Sequence, residues 1–264
     1  KDCLLTDVGS VKSEIHRAVL SAGLAGQFIG GHPMTGSERT GYINSRAKLL
    51  ENAYYILSPT DSVPSAKLTE YRELVASLGA IPLILDCDRH DYATAAISHL
   101  PHVIAAALVN LVKISDNEDG LMKMIAAGGF KDITRIASSS AQMWQQICLT
   151  NTDNIASLLD AYIRELSDIR AELSDRDADA LYNFFDSARI YRDSFINASS
   201  GPIKAVYTIT IDIADEPGAL AAIATILALH QISIKNIGIV HNRETENGVL
   251  RLELYDEASV RQAS

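Results

Sequence analysis

Residues 87–198 carry no strand signal, whereas the segments on either side read as strand-bearing, and this switch constrains the fold more than any single motif. Period-two alternation and period-3.6 stripes point side chains in different directions, so a chain that changes period twice divides into three regions. With 264 residues, each region has enough length for a core of its own.

The first region, residues 1–86, has an α/β rhythm. A short apolar run at 3–8 precedes a helical stretch at 10–22. Strands are expected at 25–30, at 53–57 (closed by Ser58-Pro59) and at 80–85, the last at a sheet edge because Pro82 cannot donate to a ladder. A helix at 63–78 places Leu68, Tyr71, Leu74, Val75 and Leu78 on one face, and Gly79 ends it. Strands spaced by helices of this length imply a largely parallel sheet.

The middle region, 87–198, is all-helical. Residues 91–114 read as one long apolar helix interrupted only by Pro101. Leu159, Tyr162, Ile163, Leu166, Ile169 and Leu173 mark a second helix. Leu181, Phe184, Phe185, Ala188 and Tyr191 mark a third, after a Ser174-Asp175 cap. Helices this apolar need covering on several sides, which a subunit interface would supply.

Residues 197–202 (Asn-Ala-Ser-Ser-Gly-Pro) read as a linker to the third region, 203–264. There Tyr207, Ile209, Ile211 and Ile213 alternate with polar residues, and Asp215-Glu216-Pro217-Gly218 turns the chain into a helix bearing Leu220, Ile223, Leu227 and Leu229. Strands near 232–240 and 249–255 follow, and a second helix begins at Glu257: the β-α-β-β opening of a small α+β sandwich. Both chain ends read as cuts through domains.

Acidic residues outnumber basic ones, giving a formal charge of −10, which argues against nucleic acid or an anionic membrane as the main partner. An anionic substrate would need a local basic pocket. Cys3, Cys87 and Cys148 are far apart and read as free, buried thiols of a reducing cytoplasm. There is no signal-peptide pattern, and the longest largely apolar stretch, 103–112, is too short to span a bilayer.

Several residues have chemical potential. His32, after Gly30-Gly31 and before Pro33, sits in a loop at a strand end, where open α/β sheets bind ligands. It is either a proton-handling imidazole or a hydrogen-bonded loop histidine. His90, His99 and His102 share a helical segment, with no carboxylate or cysteine at metal-ligand spacing. They are polar residues satisfied within a helical interface or, for His99 and His102 together with Ser98, contacts to a polar ligand. Lys131 and Arg135, four apart after a double glycine, are a carboxylate clamp or solvated charges. Ser10, in Asp7-Val8-Gly9-Ser10-Val11-Lys12, is a natural helix N-cap at an end that favours anions.

In order, Asp7-Val8-Gly9-Ser10-Val11-Lys12, Gly31-His32-Pro33-Met34 with Gly36, Glu38 and Gly41, His90-Asp91, Ser98-His99-Leu100-Pro101-His102, Gly129-Phe130-Lys131-Asp132-Ile133-Thr134-Arg135 and Met143-Trp144 resemble the prephenate/arogenate dehydrogenases of tyrosine biosynthesis. The tail, with Asp215-Glu216-Pro217-Gly218-Ala219-Leu220 and Ile234-Lys235-Asn236-Ile237, resembles an ACT domain, an amino-acid-sensing module. The resemblance implies the C-terminal part of a Rossmann-like domain at 1–86, a helical dimerisation domain at 87–198 and a partial, ferredoxin-like ACT domain at 203–264. It implies a homodimer that decarboxylates prephenate or arogenate oxidatively with NAD or NADP, with tyrosine as effector. His32 would take the proton of the substrate's 4-hydroxyl, and Ser10 would hold that hydroxyl. His102, Lys131 and Arg135 would bind the substrate, Glu38 would form a gating ion pair, and Trp144 would wall the site. Gly9, Ser10 and Pro33 would meet the cofactor. Asp215, Pro217, Gly218, Ala219, Leu220, Asn236 and Ile237 would meet the effector. The family's Gly-x-Gly-x-x-Gly turn does not occur in this sequence, so the fragment by itself is expected to be inactive. The rival expectations are a catalytically silent, dimeric amino-acid-binding protein and another dehydrogenase with a helical dimerisation domain.

Overall fold

The computed structural model describes residues 3–36, 41–197, 207–213, 216, 218–241 and 248–263. Chain contacts divide it into two compact units, Lys1–Asp177 and Ala178–Ser264.

The first unit opens with a four-stranded sheet in the order β1-β2-β3-β4, formed by β1 (Leu5–Thr6), β2 (Phe28–Pro33), β3 (Tyr54–Pro59) and β4 (Ile81–Ile84). The parallel expectation holds for β1–β2 and β3–β4 and fails in the middle, where β2 and β3 run antiparallel with His32 opposite Ile56. The physical reason lies in the connections. Helix α1 (Ser13–Ser21) joins β1 to β2 and α2 (Ser65–Ser77) joins β3 to β4, each a crossover, whereas β2 reaches β3 through short 3₁₀ turns that bring the chain straight back. Pro82 does lie on an edge strand among the described residues.

Side-chain alternation along β2 assigns its two faces. Ile29 packs with Tyr55, Leu57, Tyr71, Val75 and Ala80 under α2. Phe28 meets His16 of α1 edge-to-face. A Cβ on Gly30 would lie 2.9 Å from the His16 ring and 3.0 Å from the Lys12 stem, and one on Gly31 would lie 2.5 Å from the Asp7 carbonyl. The glycine pair is what lets β1 and α1 approach β2 this closely. On α2 the expected stripe is only half buried: Tyr71 and Val75 are inside, whereas Leu74 and Leu78 are exposed.

Beyond the sheet, α3 (Cys87–Thr94), a π-helical turn (Ala95–His99) and α4 (Leu100–Ser115) form one continuous helical run. The turn has a cause in Pro101, whose ring would clash with the carbonyl of Ile97 in a regular α-helix; underwinding removes the clash. By length and composition this run could cross a membrane. Yet His90, Asp91, Thr94 and His99 are buried on it, as in an interior helix of a folded domain. Short helices α5 (Leu121–Ile125) and α6 (Gly128–Thr134) follow, then α7 (Ala141–Thr150) and α8 (Thr152–Asp175). The expected cap at Ser174-Asp175 is instead the last turn of α8, where the Ser174 hydroxyl donates to the Arg170 carbonyl; Arg176, with φ +56°, ends the helix. The thiols also differ from expectation. Cys3 is exposed and Cys87 and Cys148 are partly exposed, because the two-residue β1 and the helix ends cover little.

The second unit holds α9 (Ala178–Asn197) and a three-stranded antiparallel sheet in the order β5-β7-β6, from β5 (Tyr207–Ile213), β6 (Ile234–His241) and β7 (Gly248–Leu254). Leu250, Leu252 and Leu254 line one face of β7 and pack with Leu227 of α10 (Ala219–Leu229) and Val260 of α11 (Glu257–Ala263). The second helix of the sandwich is therefore present for seven residues. Most of the expected linker lies outside the described residues.

Candidate active site

His32 is not in a loop. Strand β2 extends through Pro33, so the backbone of His32 is fixed by pairing with β3, and its imidazole emerges on the face covered by α1 and α3. There its Nδ1 lies 2.8 Å from Nε2 of His90, whose Nδ1 lies 2.7 Å from Oδ1 of Asp91. Asp91 in turn accepts the backbone N–H groups of Lys12 and Ser13, each at 2.8 Å. These are the orphan amides at the start of α1, so Asp91 of α3, and not Ser10, caps that helix; the N-terminal residue of the cap is Lys12.

The chain of contacts dictates proton positions. A carboxylate accepts, so the Nδ1 of His90 is the protonated nitrogen and its Nε2 is bare. The Nδ1–H of His32 therefore donates to His90, and the Nε2 of His32 is left as a lone pair. Burial would raise the Asp91 carboxyl, but the bonds from His90, Ser13 and Lys12 outweigh it and hold the group below the usual carboxylate range. His32 is pushed down to about 3, chiefly by burial and then by its histidine and lysine neighbours, so it is neutral at physiological pH.

A buried ion pair supports this strand from beneath. The ammonium of Lys12, fully buried, contacts the Asp7 carboxylate and donates to the Gly31 carbonyl at 2.7 Å. Asp7 also accepts from Gly31 N at 3.1 Å and Gly9 N at 2.8 Å. Burial lowers the Lys12 ammonium, and Asp7 opposes that shift. A lone charge there would be costly; paired and hydrogen-bonded, it locks the residue preceding His32.

His32 opens onto a crevice of about 450 Å³ lined also by Ser10, Pro33, Ser98, His99, His102, Ile136 and Trp144. The His102 ring stacks on the Trp144 indole at 3.6 Å, and His99 meets the same indole edge-on at 6.0 Å. A second cleft of about 280 Å³, lined by Gly9, Ser10, Val11, Ile15 and Gln146, adjoins the first through Ser10, Met143 and Ile147. Its largely apolar walls, with the hydroxyls of Ser10 and Thr150 and the side chains of Glu14 and Gln146, suit the flat amide-bearing ring of a nicotinamide.

Of the expected site residues, the structure thus brings together His32, Ser10, Pro33, His102 and Trp144, with Gly9 in the adjoining cleft. Lys131 on α6 and Arg135, just past its end in a 3₁₀ turn, are exposed and do not line the crevice. Glu38, Asp215 and Pro217 lie outside the described residues. In the second unit Gly218 (φ +97°) leads into α10 with Ala219 and Leu220, and Asn236 accepts the Ile237 N–H at 2.9 Å, beside an irregularity in β6 pairing. Sequence reading assigned no role to Asn151 or Lys12, and it did not join His90 and Asp91 to His32. His90 and Asp91 close a charged stretch, Asp86-Cys87-Asp88-Arg89-His90-Asp91, whose composition gives no sign of burial, so only the family resemblance singled them out.

Fold and crevice together describe a nucleotide-dependent dehydrogenase with a helical second part. The family models agree: "Prephenate dehydrogenase, nucleotide-binding domain" matches residues 1–82, and "Prephenate dehydrogenase, dimerization domain" matches residues 86–187. A prephenate dehydrogenase of Bacillus subtilis (strain 168) is 40% identical over 259 residues, 97% of this chain and 69% of the relative. The solved prephenate dehydrogenase of A. aeolicus, in complex with hydroxyphenyl propionate and NAD+, is 30% identical with a TM-score of 0.69, covering 74% of this chain and 68% of that one. A solved Synechocystis arogenate dehydrogenase is 28% identical with a TM-score of 0.64, covering 73% and 69%. The chain belongs to the prephenate dehydrogenase family.

Proposed function

We infer that the protein oxidatively decarboxylates prephenate to 4-hydroxyphenylpyruvate with NAD. The observation that carries this reading is the bare Nε2 of His32, fixed by the Asp91–His90 chain and facing a crevice that shares Ser10 with a nicotinamide-sized cleft. Family membership supports it independently.

Gly9, Ser10 and Pro33 would hold the nicotinamide end of NAD, which when bound supplies the hydride acceptor. The chain's own residues orient the ring and manage one proton. The Nε2 of His32 accepts the 4-hydroxyl proton, and Ser10 holds the same oxygen. The proton raises the charge on His32, which His90 and the Asp91 carboxylate stabilise, much as a buried aspartate stabilises the imidazolium of a hydrolase triad. Carbon dioxide leaves as the ring becomes aromatic, and the proton held on His32 returns to the 4-oxygen to give the phenol, so the protein needs no strong acid for that step. His102 and Trp144 wall the substrate; Lys131 and Arg135, which lie outside the crevice lining, are proposed to meet a substrate carboxylate, and Glu38 to form a gating ion pair.

The helical segment is proposed to form a homodimer, in line with the matched dimerisation domain. Residues 203–264 are proposed to be an ACT module that senses tyrosine. Its support is the β-α-β-β-α order with both helices packed on one sheet face, and the left-handed Gly218 that leads into α10. Steady-state turnover of the full-length protein with prephenate and with arogenate, each with NAD and NADP, tests the reading. Turnover of prephenate with NAD supports it; turnover of arogenate alone assigns the second substrate; turnover of neither overturns it. Tyrosine that changes neither rate nor melting temperature overturns the regulatory part.

A further inference from the structure

The two adjoining cavities differ in charge. Among the described residues that line the crevice there is no aspartate or glutamate. The cleft beyond Ser10 has one carboxylate among its described lining, that of Glu14. A carboxylate in the first turn of a helix is ordinarily explained by the helix dipole. Here Asp91 already supplies that anion, because it accepts the N–H groups of Lys12 and Ser13 at the start of α1.

Two further observations single Glu14 out. Behind Gly9 the ammonium of Lys12 is compensated by Asp7, whereas no ion pair with a described residue engages Glu14. The walls beside it are apolar: Val11 is 6% exposed and Ile147 of α7 is 8% exposed, and Ile15 and Met143 extend them. Buried apolar walls screen a charge less than water does, so a carboxylate facing the cleft acts on its occupant more strongly than on an open surface.

The occupant has two charge states. NAD+ and NADH share the adenine, the riboses and the pyrophosphate and differ at the nicotinamide, which is a cationic ring before it takes a hydride and a neutral one after. We propose that Glu14 makes this cleft prefer the oxidised cofactor, by pairing its carboxylate with the cationic ring. That attraction is present when NAD+ enters and vanishes once the ring is neutral, so one side chain both favours entry of the reactant form and loosens the product form. Gln146, on the α7 wall, is the amide that can meet the ring's carboxamide and orient it without sensing its charge. The inference rests on reading the cleft as the nicotinamide site and names the residue that sets its charge preference.

The test is calorimetric titration of full-length wild type, Glu14→Gln and Glu14→Lys with NAD+ and with NADH, in the absence of substrate. The ratio of the two Kd values isolates the ring, because everything the two forms share cancels. Glu14→Gln should lower the preference for NAD+ by about 2- to 5-fold, the scale of a partly exposed ion pair. The change should fall on NAD+, with the Kd of NADH moving by less than about 1.5-fold. Glu14→Lys should lower the preference further by a similar factor. Raising the salt from about 0.05 M to about 0.5 M should bring the wild-type ratio toward that of Glu14→Gln. Glu14 is exposed, so neither substitution disturbs the core. An unchanged ratio in Glu14→Gln, or an equal weakening of both forms, overturns the assignment and leaves Glu14 a helix-end charge. Wild-type protein that binds neither form removes the cofactor reading and this inference with it, a result distinct from tight binding with an unaltered ratio. The titration needs no turnover, so a failure of prephenate as substrate leaves its outcome standing.

Discussion

The helical run Cys87–Ser115 has two halves that bury the wrong residues by any hydropathy rule. The first half buries His90, Asp91, Thr94 and His99, while the far more apolar second half, α4, buries only Ala105 and exposes Leu111 and Ile114. Buried polar groups and exposed apolar ones are the informative departures from the usual partition. The first half is inside because its buried side chains are bonded: His90 to His32 of β2, Asp91 to the start of α1, Thr94 to its own helix and His99 to Asn151 just before α8; it backs the proposed proton acceptor. The second half is apolar because another surface is to cover it, and the matched dimerisation domain says of what kind. One helix thus joins the proposed reaction centre to the proposed assembly face.

The largest effect should come from the strand residue that the first half holds in the crevice. His32→Asn removes the basic nitrogen while keeping a polar side chain, and kcat at saturating substrate should fall by roughly two to four orders of magnitude. Near-normal turnover would reduce the whole buried network to scaffolding. One step further back, Asp91→Asn presents an amide where two N–H groups of α1 and the Nδ1 of His90 all donate. We expect kcat to drop by about two orders of magnitude, with a melting temperature lowered by the loss of the cap. A stability loss with unchanged kcat would show that Asp91 caps α1 and does nothing for His32.

The second half is tested by assembly. Ile114→Glu should raise the dimer dissociation constant by about 10- to 100-fold, the penalty of putting a charge where an apolar side chain is to be covered. Sedimentation equilibrium reads it directly. A dimer of unchanged strength would mean that this end of α4 faces water, and the contrast within the helix would lose half its explanation.

Much of this was legible in the residues. The edge position of Pro82, the long helices of the middle region and the crevice histidine follow from turn chemistry, period and motif order, whereas contacts divide the chain at Asp177/Ala178 and not at the expected linker. Two kinds of feature were not. Strand direction between β2 and β3 depends on whether the intervening chain forms a crossover helix, and residues 34–53 have no periodicity to announce either outcome. The networks at Asp91 and Asn151 join residues 79 and 60 positions apart, so no local pattern could reveal them. Pro101 was read as an interruption of the helix, but its consequence, a π-turn that ends at His99, exists only once the turn is packed.

The smallest predicted effect distinguishes burial of neutral imidazoles from burial of charge. His32 and His99 titrate near 3 and 4 in the folded protein against about 6.5 when unfolded. Between pH 6.5 and 4 the unfolded chain therefore binds protons that the folded chain refuses, and stability falls as the pH is lowered through that window. Above pH 6.5 both states are neutral at these sites and the slope from them vanishes. The melting temperature should drop by a few degrees from pH 7 to pH 5. His99→Gln, which cannot protonate in either state, should flatten that drop in part, leaving the share of His32, His16 and His102, which burial also holds down. An Ile114→Glu control should leave the part of the slope due to these histidines intact, because the exposed end of the helix contains none of them. A pH profile identical in wild type and His99→Gln would mean that His99 takes up its proton in the folded state, and the crevice would then hold a charged imidazole.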